Sequence, residues 1–301
     1  MAHNLSPRVE RWRESGELTD VAGRRVFVYH REGAGPTLLL LHGFPSSSFD
    51  WRSLLDELPA GQAALAFDCL GFGLSDKPRR HDYTLFEQAD IAERVVAGRV
   101  TGPVFVVAHD MGTSVATELM RRDLEGRLGF DLAGVLLLNG SVIVARATLT
   151  AGQRLLRSPL GWLAAQLPTK PLFSQQFASL FSPSHPLADN ELEDQWALWT
   201  RAGGNRIAHR LIGYVGERER HAERWHGAVR DWPGTLSIVW GMLDPVATPN
   251  VLAGLRELRP HAPIAEMPDL GHYLQIEAPA VVAEAIRCAQ AAAGISADRP
   301  R

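Results

Sequence analysis

Cysteine is nearly absent from this chain. Cys69 and Cys288 are the only two in 301 residues, and neither belongs to a CxxC pair or a metal-type cluster. A disulfide framework and a zinc-built fold are excluded, and both thiols are expected to be reduced and packed. No apolar run approaches the roughly 20 residues that span a bilayer. The N-terminal stretch MAHNLSPRVERWRESGEL is polar where a secretory leader needs an apolar segment. A cytoplasmic protein without a membrane partner is therefore expected. Positive charge is also in short supply: 31 Lys and Arg against 34 Asp and Glu give a net charge of -3. That gives no support for the basic face a nucleic-acid partner would need. The histidines show no HExxH-type spacing, so neither a metal site nor a cofactor is expected.

What is present is ordinary globular composition, 46% hydrophobic and 22% charged, in a length that suits one core domain with an insertion. Apolar runs at Val26–His30, Thr37–Leu41, Ala63–Phe67, Val104–Ala108, Ala133–Leu138, Leu236–Trp240 and Pro263–Met267 read as strands. Several are apolar throughout, which suits strands buried on both faces of a mostly parallel sheet. Helical patterns fill the gaps, from the Thr84–Glu87 capping-box spacing to about Arg99, over Met111–Leu124, and over Pro279–Ala293. This alternation predicts a doubly wound α/β sheet. It stops between about Ser141 and Pro233, a stretch with few strand-like runs that holds five of the eight tryptophans. Loop punctuation falls at LPTKP and FSPSHP. The expected organisation is a core over 1–140 and 234–301 with a helical cap over 141–233. The last residues, about Ile295–Arg301, are expected to fray.

One junction carries chemistry. An apolar strand runs into Ala108-His109-Asp110-Met111-Gly112, and a helix follows. Small residues two before and two after the centre are what a sharp strand-to-helix turn requires. The same arrangement with serine at its centre is a nucleophile elbow, and here the centre is aspartate. An aspartate opening a helix is often only an N-cap, so Asp110 gains weight from its surroundings.

Those surroundings resemble the epoxide hydrolase and haloalkane dehalogenase branch of the α/β-hydrolase superfamily. The matching pieces are His42-Gly43-Phe44-Pro45, the run Asp68 to Pro78, His109-Asp110-Met111-Gly112, Gly241-Met-Leu-Asp244-Pro245 and Gly271-His272. They come in family order from about residue 24 to about residue 290. Phe86 to Ala89 and Tyr214 to Trp225 look closest to the mesoderm-specific-transcript subgroup. The resemblance implies Asp110 as nucleophile, His272 as base and Asp244 as the carboxylate that orients it, in the chain order of that fold. It also implies the backbone N–H groups of Phe44 and Met111 as oxyanion donors. His42 and His109 are expected to be structural.

A carboxylate attacking an ester carbonyl would give an anhydride, which gains little. Attack on a saturated carbon with a leaving group, or on a strained ring, gives an alkyl-enzyme ester that water must then hydrolyse. An epoxide needs a hydrogen-bond donor at its oxygen, which epoxide hydrolases supply from two cap tyrosines. Tyr214 lies where the second would fall, and the first is missing; His185 or His209 is the possible replacement. Dehalogenases use Trp after the nucleophile and a second Trp or Asn, positions held here by Met111 and Phe44; a cap Trp such as Trp162 is the fallback donor. The leading expectation is an epoxide hydrolase acting on a small hydrophobic substrate in a site lined by Phe44, Met111, cap aromatics and Tyr214. A haloalkane dehalogenase is second, and a low-turnover ligand- or partner-binding protein third. The mixed-sign run Gly216–Arg224 is expected to be a solvated face. Oligomeric state is left open.

Overall fold

The computed structural model describes residues 5–166 and 169–295. Eight strands form one sheet: β1 Gly16–Val21, β2 Arg24–Arg31, β3 Ala34–Leu41, β4 Gln62–Phe67, β5 Val104–His109, β6 Leu132–Leu138, β7 Leu236–Gly241 and β8 Ile264–Met267. Their order is β1-β2-β4-β3-β5-β6-β7-β8. β2 pairs antiparallel with both β1 and β4, and every other pairing is parallel. All seven expected strands are present. Those read as continuously apolar are the interior ones: β5 and β7 are buried at every position, as burial under helices on both faces demands.

The strand that sequence reading misses is β1. Its residues GELTDV are mostly polar and exposed, because an edge strand buries little and shows no apolar pattern. The hairpin turn to β2 places Ala22 and Gly23 at positive φ (53° and 77°), the left-handed pair that a two-residue hairpin needs.

The expected helices fall at Leu85–Ala97, Met111–Leu124 and Pro279–Ala292. Thr84 caps the first by accepting from the Glu87 N–H at 3.0 Å, while the Glu87 carboxylate turns to His81 instead of closing the box. Cys69 is buried as expected; Cys288 is exposed, on the outer side of its helix, and is not a packing residue.

Between β6 and β7 the described residues hold helices and no strand. Leu167 and Pro168 of the LPTKP loop, and residues 296–301 of the expected frayed end, lie outside the described residues. The last helix of this stretch, Ala222–Asp231, packs on the core helix Met111–Leu124. There the Trp225 indole donates to Glu118 at 3.0 Å, and Trp232, just past the helix end, donates to Asp123 at 2.6 Å. These two tryptophans therefore join the core, while Trp196 and Trp199 pack around Phe173 and Trp162 is exposed.

The sheet order has one direct consequence. β3, β5, β6 and β7 run parallel side by side, so the segments after their C-terminal ends converge. His42 to Phe44, Asp110, Asn139 and Asp244 belong to those four segments.

Candidate active site

Asp110 occupies the turn between β5 and its helix at φ 46°, ψ −112°. A branched L-residue seldom adopts such a backbone, which costs of order 1–3 kcal/mol and persists only where its surroundings enforce it. The neighbours do enforce it. A Cβ on Gly112 would stand 2.4 Å from the Leu41 carbonyl oxygen, so only glycine lets the helix start so close to β3. The Asp110 carbonyl oxygen accepts from Thr113 Oγ1 at 2.6 Å and from Arg218 Nη2 at 2.9 Å.

The carboxylate is held asymmetrically. Its Oδ2 accepts the Phe44 N–H at 2.8 Å, an approach that a Cβ on Gly43, 2.5 Å from the Asp110 Cβ, would block. Met111 opens the helix, where first-turn N–H groups have no intrahelical acceptor. Oδ1 lies 4.0 Å from Arg218 Nη2. Arg218 is itself buried, donates from Nε to Ser114 Oγ at 2.7 Å, and sits over the Tyr214 ring at 4.7 Å.

His272 presents Nδ1 to Asp244 Oδ2 at 2.6 Å. Asp244 is fully used: Oδ1 accepts from the N–H groups of Val246 (2.7 Å) and Ala247 (3.0 Å), and Oδ2 also accepts from Asn139 Nδ2 (2.7 Å). Asn139, at positive φ after β6, ties that loop down further by accepting the Gly241 N–H at 2.7 Å. With Nδ1–H directed at Asp244, Nε2 is the nitrogen free for chemistry. Burial pulls the His272 pKa down. The charge and hydrogen bond of Asp244, with the nearby Asp110 charge, outweigh that and push it up to about 9.

The other two histidines are structural, as expected. His42 Nδ1 donates to the Gly43 carbonyl and Nε2 accepts the Cys69 N–H, a single neutral tautomer that burial favours. His109 Nε2 donates to the His272 carbonyl at 2.8 Å, while burial holds its pKa well below the ordinary value.

Asp110 and His272 line one cavity of about 80 Å³, whose wall also includes Phe44, Gln153, Gln176 and Trp199. Asp110, His272, Asp244 and the Phe44 N–H are thus brought together. Other residues expected around the site are not among those that line this cavity. Tyr214 is fully buried and is not part of the cavity wall, which Gln153 does line. Burial, and then the Asp110 charge, push that phenol's pKa up. The Met111 side chain is likewise off the wall. His185 lies in a separate cleft with Arg8, Arg52 and Glu191, bonded to Ser182, and His209 is also off the cavity wall.

The run Gly216–Arg224 is not a solvated face throughout. Glu217 and Arg218 are buried, and the Glu217 carboxylate accepts the Leu85 N–H at 2.7 Å, capping the helix Leu85–Ala97. Sequence reading also misses Gln153. It belongs to a capping box whose Thr150 Oγ1 accepts the Gln153 N–H, and Gln153 Oε1 accepts the Thr150 N–H at 2.8 Å. The Thr-x-x-Gln spacing was the available signal for it.

The parallel sheet, its flanking helices and the sharp elbow after β5 define an alpha/beta hydrolase scaffold. The chain belongs to the alpha/beta hydrolase family, whose model matches residues 38–285. It is 58% identical over 280 residues to LipZ of Mycobacterium tuberculosis, covering 93% of this chain and 97% of that one. It is 32% identical over 286 residues to the mouse mesoderm-specific transcript protein, covering 91% and 85%. Among solved structures it resembles haloalkane dehalogenase DbeA from Bradyrhizobium elkani, with a TM-score of 0.75, 21% identity, and coverage of 92% and 99%; that likeness bears on the fold alone.

Proposed function

We propose that this hydrolase opens a strained ring, an epoxide, through a covalent ester on Asp110 and hydrolyses that ester to a diol. The observation that carries the reading is the placing of Asp110. A carboxylate stands at the strained elbow, with Oδ2 on the Phe44 N–H, in the same cavity as a histidine held by Asp244. The arrangement supports nucleophilic attack by Oδ1 on a ring carbon beneath a cap formed by residues 141–233. The new C–O bond forms as the ring C–O bond breaks, and the alkoxide takes a proton. With a pKa of about 9, His272 is an imidazolium at neutral pH and the acid on the cavity wall able to supply that proton. The Gln153 amide carries two N–H donors. One of them is assigned to the ring oxygen, in the place where a cap tyrosine was expected.

The ester then no longer carries the Asp110 charge, and one of the influences raising the His272 pKa is gone. Neutral His272 takes a proton from water, and the hydroxide attacks the acyl carbon. The oxyanion accepts from the Phe44 and Met111 N–H groups; one such donor typically contributes about 3 kcal/mol to the transition state. Collapse expels the alkoxide, which takes the proton of the newly added hydroxyl and leaves as the diol; Asp110 is again a carboxylate and His272 again carries its proton. No cofactor enters this scheme.

A halide leaving group is the second reading, favoured by one observation: two amide side chains, Gln153 and Gln176, line the cavity, and a halide needs N–H donors but no proton. Turnover of styrene oxide and 1,2-dibromoethane in ¹⁸O-water, with intact mass of His272→Gln, separates the two. The expected result is diol from the native enzyme and an epoxide-derived adduct trapped on Asp110 in the variant. An adduct with bromide release alone makes the protein a dehalogenase. An absence of turnover and adducts with both compounds sinks the ring-opening reading for these substrates and favours a binding protein.

A further inference from the structure

The chamber around Asp110 and His272, about 80 Å³, has room for a reacting ring and its immediate substituents. Sites that enclose whole organic ligands usually measure about 300–1,000 Å³. A larger substrate must therefore extend beyond this chamber, and the structure offers a place for it. A cleft of about 400 Å³ lies against the chamber, and Gly152, Leu156, Phe173, Gln176 and Trp199 line both. One layer of side chains is thus all that stands between them.

The chemistry of the cleft is uniform. Among the described residues no charged side chain lines it, and its polar groups are the Gln176 and Asn205 amides and the Trp199 indole N–H. The far wall is aliphatic, with Leu155, Leu160, Leu163 and Leu172 each 43–61% exposed. Four leucines on one rim, contributed by the helices Ala151–Arg157, Gly161–Ala164 and Lys170–Ala178 and the turns beside them, are costly to leave in water unless something covers them. Nothing here would recognise a carboxylate, a phosphate or a sugar, since each needs fixed donors or a countercharge.

We infer that this cleft holds the alkyl chain of the substrate, so that the ring sits at Asp110 and an unbranched chain runs out across Phe173 and Trp199 to the leucine rim. The assignment rests on the ring-opening reading for its reactive end. The chain site itself stands on the cleft's apolar lining and on the wall of side chains it shares with the chamber. Each methylene that enters the cleft leaves water, and full burial of one corresponds to about a fourfold gain in binding.

The test uses two unlike readouts on the full-length protein. Calorimetric titration with 1-decanol, which has a chain and no electrophile, is compared between the native protein, Leu163→Glu and Asp110→Asn. Turnover of 1,2-epoxydodecane and 1,2-epoxyhexane is measured in parallel. We expect 1-decanol to bind native protein and Asp110→Asn alike, and Leu163→Glu at least tenfold more weakly. The kcat/KM ratio of the twelve-carbon to the six-carbon epoxide should be well above one in native enzyme and should collapse in Leu163→Glu. Leu163 is partly exposed, so the variant should fold, and its melting temperature checks this. No binding of 1-decanol, or equal binding to native protein and Leu163→Glu, would overturn the chain site even if both epoxides are hydrolysed. Loss of 1-decanol binding in Leu163→Glu without turnover of either epoxide would leave the chain site standing and remove the epoxide reading.

Discussion

Replacing Arg218 by methionine removes the positive charge 4.0 Å from the Asp110 carboxylate, and the proposed two-step chemistry makes an unusual demand of that charge. Attack carries negative charge away from Asp110, and ester hydrolysis brings it back, so Arg218 opposes the first step and favours the second. At 4.0 Å in an effective dielectric of about 20 the attraction is ~4 kcal/mol. Both side chains are at most 4% exposed, so solvent screening removes little of it. If half of the charge has returned in the hydrolytic transition state, ~2 kcal/mol is at stake, about 30-fold in rate. Arg218→Met should therefore lower kcat about 30-fold and make the alkyl-enzyme accumulate, visible as a mass adduct during steady turnover and as a burst of the first product. Arg218→Lys should restore part of the rate. Ser114→Ala deletes the Nε bond but keeps the charge, and should show neither adduct nor burst. A slow Arg218→Met enzyme without adduct, matched by Ser114→Ala, would refute the electrostatic argument and reduce Arg218 to a prop for the elbow.

Two further outcomes concern pH. The His272 imidazole should titrate near 9 by NMR in the free enzyme and lower in Asp110→Asn, which removes one raising charge; equal values in both would break the proposed coupling. Because its folded pKa lies above the ordinary 6.5, His272 stabilises the fold fully below pH 6.5, and that contribution is lost as pH rises towards 9. Asp50 is buried beneath Ser46 and Gln195, and burial pushes its pKa from 3.8 to about 7 against the hydrogen bonds those two residues donate. An acid that ionises more readily unfolded than folded makes stability fall as pH rises from about 4 to 7. Asp50→Asn should remove that slope, raising the melting temperature relative to native protein more at pH 8 than at pH 4. An equal shift at both values would show that Asp50 is not the titrating group.

The legible parts of this protein were those where local pattern and tertiary role coincide. Buried parallel strands must be apolar on both faces, so β3 to β7 announce themselves as runs such as TLLLL and VFVVA. The elbow is legible because its strain admits only small neighbours, Ala108 and Gly112 among them. Arg218 was hidden for the opposite reason. A helix carrying Glu, Arg, Glu and Arg in succession shows alternating charge whichever face packs, and only the neighbouring helices decide which turn inward: Glu217 meets the start of Leu85–Ala97 and Arg218 meets Met111–Leu124. Tyr214 was placed by position in the chain, which sets its helix but not which side chains line the cavity; Gln153, from a different helix, is among those that do.

By itself the sequence indicated seven of the eight strands and the elbow with aspartate at its centre, because these follow from side-chain size, polarity and spacing along one chain. The grouping of Asp110, Asp244 and His272 came from the family resemblance. Only the tertiary structure decided what surrounds the Asp110 carboxylate. Asn139 reaches Asp244 because β6 and β7 are neighbours, Arg218 reaches Asp110 from 108 residues away, and leucines from the helices between β6 and β7 converge on one cleft. Those contacts join segments far apart in the chain, and no periodicity within a segment records which distant partner it will meet.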